Sequence, residues 1–237
     1  MIYGEFAKFF NRYASRYDYR MWFEYLKQVS GISDFNAKKV LELGCGTGEI
    51  LTKFASEGAE VYGIDQSDEM LSYADEKFFS KNLSAVLLKC DMSEFFSETK
   101  FDFIFSMGDS VNYLNKEKIK KMMRNTAAML SDGACFAFDI ISPGAEGKTR
   151  LTEEIYAEGS RAVLRREFSG DMLITHAEIH EDGKLTSEIH RQYLHSPEYL
   201  AGLASDCGFS RFESWGIFTF EEESENDEKL QCRLAEN

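Results

Sequence analysis

Short apolar runs alternate with amphipathic stretches over the first 145 residues of the chain. The amphipathic stretches repeat their apolar positions at helical spacing, which predicts helices at about residues 49–56, 67–81 and 117–130. The apolar runs predict five strands, at residues 40–43, 60–64, 85–88, 101–106 and 134–141. Strands that alternate with helices form parallel sheets, and the nearly unbroken apolar run in the fifth strand is typical of a strand buried on both faces.

The pattern changes between residues 149 and 194, where polar and apolar residues alternate. This alternation predicts three or four antiparallel strands, with turns at Gly170 and at Asp182–Gly183. A helix at residues 196–207 and strands at 209–215 and 228–234 follow. We therefore predict one domain over residues 1–237, with a doubly wound α/β fold, a mostly parallel seven-stranded sheet and an antiparallel β insert at residues 149–194.

The first 30 residues are rich in aromatic side chains. Their spacing suits two helices, the second at about residues 21–29, and simple core packing explains much of it. Tyrosine hydroxyls require polar partners, however, so a helical lid over a half-polar ligand is the other interpretation of residues 1–30.

A glycine-rich turn follows the first strand and has the chemistry of a nucleoside site. Gly44, Gly46 and Gly48 are spaced G-x-G-x-G, and Glu42 lies two residues before the first of them. The dinucleotide fingerprint has a different spacing and presents a helix N-terminus to a pyrophosphate, beside which a carboxylate is unfavourable. A carboxylate instead suits a ligand with an amino group and a sulfonium. The second strand ends in Asp65, which can accept hydrogen bonds from both hydroxyls of a ribose.

With these features, about residues 35–145 and 196–235 resemble the class I methyltransferases that use S-adenosylmethionine. The resemblance implies a Rossmann-like fold, S-adenosylmethionine as cofactor and S-adenosylhomocysteine as product. In the resembled family an acid at the position of Asp91 meets the exocyclic amine of adenine. At the N-terminus the chain departs from the family, with Phe10 and Asn11 where Tyr-Asp is common. The implied cofactor-binding residues are Glu42, Gly44, Cys45, Gly46, Gly48, Asp65, Gln66, Met70, Asp91, Met92 and Met107.

Polar residues after the fourth strand are the candidates for the methyl acceptor. Ligands of open α/β sheets bind outside the carboxyl ends of the strands, where Asp109, Asn112 and Tyr113 are expected. Asp109 is a candidate base. His190 in the insert is a fourth candidate, although an exposed position on a strand explains it equally well. We expect the other histidines, His176, His180 and His195, at the surface.

Composition narrows the partners and the location. A formal net charge of −14 opposes nucleic-acid binding, so we expect a small-molecule acceptor. Five cysteines without a C-x-x-C pair predict free thiols in the cytoplasm. The sequence contains no run of 18 apolar residues, so membrane insertion is not expected. The histidines, cysteines and acidic residues of the sequence do not have the spacing of metal ligands, so no metal is expected. The insert has a face and an edge that need cover, and this suggests a homodimer or a role in shaping the acceptor pocket.

These features together predict an S-adenosylmethionine-dependent methyltransferase for an unidentified small molecule. Two alternatives stay open. The first is a non-catalytic scaffold that binds S-adenosylmethionine, because the motifs argue only for binding. The second is an NAD-dependent oxidoreductase, suggested by the Tyr73-x-x-x-Lys77 pair, which lies on the helix after the ribose-binding strand and far from the place of a nicotinamide.

Overall fold

The chain forms a seven-stranded sheet with helices on both faces and a separate four-stranded sheet. A computed structural model describes residues 9–10, 17–157, 159–181, 183–224 and 227–235. Its helices are α1 (Tyr19–Ser30), α2 (Leu51–Ser56), α3 (Asp68–Ser80), α4 (Lys116–Met129) and α5 (Pro197–Asp206). The strands of the large sheet are β1 (Lys39–Leu43), β2 (Glu60–Asp65), β3 (Val86–Lys89), β4 (Phe101–Ser106), β5 (Leu130–Ile141), β10 (Arg211–Gly216) and β11 (Lys229–Ala235). The strands of the small sheet are β6 (Thr152–Ala157), β7 (Ser160–Ser169), β8 (Met172–Glu181) and β9 (Lys184–Tyr193).

The large sheet has the strand order β10-β11-β5-β4-β1-β2-β3. Strands β1 to β5 pair in parallel, while β11 is antiparallel to both of its neighbours. The chain winds outward from β1 in one direction to β3 and then in the other from β4, so the carboxyl ends of β1 and β4 border the crevice where such sheets bind ligands. This confirms the predicted doubly wound fold and its mostly parallel sheet.

Alternate residues of the central strands are buried in two apolar layers, one on each face of the sheet. Leu41 of β1 packs with Ile104 and with helices α4 and α5, while Val40 packs with Phe103 and with helices α1 and α2. The sheet is thus covered on both sides, and polar ligands have access only at its edges. Of the helices in the part of the chain that the structure describes, none is both long enough and apolar enough to cross a lipid bilayer.

The end of α4 differs from the sequence prediction. The helix predicted at residues 117–130 ends at Met129, and β5, predicted at residues 134–141, begins at once with the buried Leu130. Leu130 pairs with Phe101, and the register then shifts, which leaves Gly133 in a bulge with φ of 75°. The glycine therefore allows an irregularity in a strand, where a left-handed backbone costs little without a Cβ.

The insert is an antiparallel sheet with the strand order β6-β7-β8-β9. Gly170 and Gly183 have φ of 62° and 75° in its hairpin turns, as their positions predict, while Asp182 lies outside the described residues. Phe9 packs against the inner face of this sheet with Ile155 and Leu164. Of the predicted N-terminal lid at residues 1–30, residues 1–8 and 11–16 are also outside the described residues.

Candidate active site

The chain turns between β1 and α2 through three glycines with left-handed backbone conformations. Gly44, Gly46 and Gly48 have φ of 75°, 51° and 69°. A Cβ at Gly46 would meet no atom within 4 Å, whereas one at Gly44 would lie 3.0 Å from Met92 Cε and one at Gly48 would lie 3.2 Å from Ala74 Cβ. Gly46 therefore leaves the main chain open to a ligand, and the other two glycines allow close packing.

Two side chains from elsewhere in the sheet and helices fix this glycine loop. Asp65 accepts hydrogen bonds from the backbone N–H of Gly46 and of Ser67, both at 2.9 Å. Lys77 on α3 donates to the carbonyl oxygen of Thr47 at 2.8 Å and to Glu49 Oε1 at 2.6 Å. The loop is thus held from both ends before any ligand binds, which lowers the entropy cost of binding.

Glu42 presents a buried carboxylate at the start of the loop. Its side chain is 4% exposed, and its Oε2 atom has no hydrogen-bond partner within the described residues. Burial raises the pKa of Glu42 well above its ordinary value, and the nearby charge of Asp65 raises it further. An unpartnered buried oxygen is costly, so a cationic or N–H donor group beside it would be stabilising. The ammonium of an amino-acid moiety fits this requirement.

A cavity of about 410 Å³ extends from the glycine loop to the inner face of the small sheet. Trp22 of α1 and the aromatic rings around it form a third wall. Ten of the residues predicted from the sequence line it: Glu42, Gly44, Cys45, Gly46, Asp65, Met70, Met107, Asp109, Tyr113 and His190. The structure thus brings the cofactor and acceptor candidates into one chamber.

Five predicted residues do not line the cavity: Gly48, Gln66, Asp91, Met92 and Asn112. Asp91 accepts a hydrogen bond from Lys118 Nζ at 2.6 Å and another from the Ser93 N–H at 2.9 Å. Its carboxylate is therefore held by α4 and by the loop after β3, and its contact with an adenine amine stays a prediction. The Lys118 partner comes from a helix 27 residues further along the chain, so the strand pattern alone could not indicate it.

Asn112, one of the predicted acceptor residues, lies behind the cavity wall. It is fully buried, donates to the Tyr193 carbonyl at 2.6 Å and accepts from the Ile141 N–H at 3.0 Å. Both polar groups of its amide are used to join β5, β9 and the 3-10 turn Ser110–Tyr113. Asn112 holds the cavity wall in place from behind.

Asp109 lies at the centre of a charged cluster. It forms a close ion pair with Lys229 and accepts a hydrogen bond from Gln192 Nε2 at 2.6 Å. Its own N–H donates to Asp139 Oδ1 at 2.9 Å, and Asp139 Oδ2 lies 3.8 Å from Lys229 Nζ. Asp139 is fully buried, and burial raises its pKa to about 6.

The histidines are distributed differently from the prediction. His176 and His180 are exposed, as expected. His195 is buried, and its Nε2 lies 2.8 Å from the Leu114 carbonyl oxygen, so the expected surface position is wrong. His190 is also buried and faces the cavity, where its Nδ1 is 3.2 Å from the Tyr113 hydroxyl.

Apart from His190, sequence reasoning missed the polar residues on the inner face of the insert. Arg166 of β7, Thr175 of β8 and His190 of β9 lie side by side in register and all line the cavity, as does Gln192. Period-two alternation places His190 and Gln192 on one face of β9, which was a usable signal.

Within the described residues, no group of three or more histidine, cysteine, aspartate or glutamate side chains could hold a metal ion.

Comparison with known proteins agrees with the fold and the loop. Residues 40–133 match the family model described as "Methyltransferase domain". A provisionally named methyltransferase of Geobacillus sp. (strain WCH70) is 27% identical over 241 residues, which cover 97% of this chain and 98% of that protein. A solved S-adenosylmethionine-dependent methyltransferase from Clostridium acetobutylicum ATCC 824 has the same fold, with a TM-score of 0.84, 22% identity and 100% of both chains covered.

Together these findings support a class I methyltransferase, an enzyme with S-adenosylmethionine as its cofactor. Relatives with a named acceptor are chemically diverse. One is the dTDP-3-amino-3,4,6-trideoxy-alpha-D-glucopyranose N,N-dimethyltransferase of Streptomyces venezuelae, 27% identical over 70% of this chain and 68% of that protein. Another is the tRNA U34 carboxymethyltransferase of Photorhabdus laumondii, 28% identical over 54% of this chain and 40% of that protein.

Proposed function

We propose that this methyltransferase transfers the methyl group to a small molecule held between the glycine loop and the insert. The observation that carries this proposal is one continuous cavity of about 410 Å³. This cavity joins the cofactor candidates to the inner face of the small sheet. That volume lies in the range of small-molecule sites. The acceptor end carries hydroxyl, imidazole, amide and guanidinium groups, which suit a polar molecule.

At the cofactor end we propose roles for three groups. Glu42 would face the amino group, Asp65 the ribose, and the open main chain at Gly46 the body of the cofactor. S-adenosylmethionine supplies an electrophilic methyl group on a sulfonium, so strong catalytic groups are not essential. The chain aligns the acceptor and excludes water, to which the aromatic wall around Trp22 contributes.

The charge of the protein favours a small acceptor over RNA. Nucleic-acid binding depends on cationic surfaces, and this chain has a net charge of −14. The tRNA enzymes with which it shares sequence have additional regions, since the match covers 40% of the Photorhabdus protein. We therefore treat RNA methylation as an outcome to be tested, together with the non-catalytic scaffold.

The test is S-adenosylhomocysteine formation with S-adenosylmethionine and fractions of a metabolite library, with bulk tRNA as a separate arm. We expect turnover with a small-molecule fraction, none with tRNA, and none in either arm for Gly46→Val. Turnover with tRNA alone would contradict the small-molecule acceptor. Cofactor binding by calorimetry without turnover in any arm would favour the scaffold.

We also propose a cytoplasmic location and a homodimer. All five cysteines have free thiols, as expected in a reducing compartment.

The outer face of the insert exposes Tyr156, Leu185 and Ile189, three large apolar side chains that a second copy would cover. Light scattering tests this at high protein concentration, where a purely monomeric mass would contradict the homodimer.

A further inference from the structure

Three contacts join the 3-10 turn after β4 to the last strand of the insert. Asn112 donates to the backbone carbonyl of Tyr193 at 2.6 Å, and Gln192 donates to the carboxylate of Asp109 at 2.6 Å. The third contact joins the Tyr113 hydroxyl to His190 Nδ1 at 3.2 Å. The first two fix the register of the two segments, so Tyr113 and His190 face each other at a defined place in the cavity wall.

Glu188 lies behind His190 on the same face of β9. Its Oε2 is 3.5 Å from His190 Nε2, and the two side chains are 11% and 6% exposed. A carboxylate can only accept a hydrogen bond, so it favours the tautomer with hydrogen on Nε2. The Nδ1 lone pair is then directed at the Tyr113 hydroxyl. Burial lowers the pKa of His190 to about 4, so the ring is neutral at pH 7.

We infer that Tyr113 and His190 form a proton relay for methyl transfer, with Glu188 as a positioning residue. The inference rests on the proposed function and specifies its substrate class, an acceptor that is methylated at an N–H or O–H group. The acceptor atom gains the methyl group and loses its proton, and the broken carbon–sulfur bond leaves its electron pair on sulfur. The proton passes to the Tyr113 oxygen while the phenol proton moves to His190 Nδ1, and Glu188 offsets the charge of the imidazolium.

Asp109 is the competing candidate for the base. Both of its carboxylate oxygens are engaged, one by the Lys229 ammonium and the other by the Gln192 amide. His190 Nδ1 instead lies 3.2 Å from the Tyr113 hydroxyl, which connects that nitrogen to the cavity.

The first test needs no acceptor. The chain has four histidines, so nitrogen-15 NMR of the imidazole rings can be assigned with single His→Gln variants of the full-length protein. We expect His190 to be neutral and protonated on Nε2 at pH 7. Tyr113→Phe should shift its Nδ1 resonance, Glu188→Gln should reduce the preference for this tautomer, and His176→Gln on the outer face should change neither. A charged ring, or hydrogen on Nδ1, would overturn the relay.

The second test uses the acceptor identified by S-adenosylhomocysteine formation. His190→Gln and Tyr113→Phe should each lower kcat by about 10²-fold, in the range of general-base catalysis, and the double variant should lose little more. Cofactor affinity should stay at the wild-type value, which also shows that the variants fold. A change in acceptor KM alone, or methylation at carbon, would overturn the proposal. If wild-type enzyme methylates nothing, the proposed function fails, while the NMR result still decides the relay.

Discussion

Asp65 combines two tasks at the scale of single residues. It holds the glycine loop through the Gly46 N–H, and we propose that it also accepts hydrogen bonds from the ribose. Asp65→Ala should weaken S-adenosylmethionine binding by about 2–4 kcal/mol, because hydrogen bonds to a charged group contribute roughly 1.5–3 kcal/mol each and are not additive. Calorimetry measures this, with the exposed Asp68→Ala as control. An unchanged dissociation constant would remove Asp65 from the site.

Gly46 is the position where a side chain would block the ligand without meeting the protein. Gly46→Val should abolish S-adenosylmethionine binding, since the added carbons would occupy the open space in front of the loop. Gly170→Val is a matched control, because Gly170 has a similar φ of 62° and the same open surroundings, but lies in a hairpin turn of the insert. Both variants should lose similar thermal stability, and normal cofactor binding by Gly46→Val would contradict the role of the loop.

At the scale of elements, helix α3 controls the glycine loop through Lys77. Lys77→Met removes the bonds to Thr47 and Glu49 while it keeps most of the apolar stem. We expect S-adenosylmethionine affinity to fall by about 1–2 kcal/mol, roughly five- to thirtyfold, because the loop must then be ordered by the ligand. The measurement is calorimetry of Lys77→Met beside Lys81→Met, a change at the exposed residue that caps the end of the same helix. Equal affinities in the two variants would show that α3 does not control the loop.

For the whole molecule, buried acids and net charge make stability depend on pH. Burial raises the pKa values of Glu42, Asp65 and Asp139, the last to about 6. A raised native pKa gives stability that is complete below the ordinary pKa and is lost as pH rises through the native value. The free energy of unfolding should therefore fall between pH 5 and 7, by roughly 1 kcal/mol from Asp139. The charge of −14 acts in the same direction.

Denaturant unfolding at several pH values tests this dependence. Asp139→Asn should flatten the curve between pH 5 and 7, because the amide cannot titrate, while the exposed Asp68→Asn should leave it unchanged. A wild-type protein that becomes more stable from pH 5 to 7 would contradict the expectation.

The sequence by itself determined the features that depend on local order. Gly44, Gly46 and Asp65 follow directly after strands whose apolar runs identify them, and parallel strands bring their carboxyl ends to one edge of a sheet. The period-two alternation of the insert likewise revealed its strands. The helix predicted at residues 67–81 is α3, and Ser67 is its N-cap, which accepts a hydrogen bond from the Met70 N–H.

Only the tertiary structure decided which polar side chains meet. His190 and Tyr113 are 77 residues apart, and Lys118 engages Asp91 from 27 residues away. Such pairs depend on strand register and on how the insert docks over the sheet, and a shift of one residue would turn His190 to the opposite face. Hydrophobic patterning indicates which face of an element is buried. It carries no information on which polar group from a distant part of the chain lies beside that face. The glycine loop could therefore be found in the sequence, and Tyr113 and His190 could be named as candidates, while the contact between these two side chains became visible only in the folded chain.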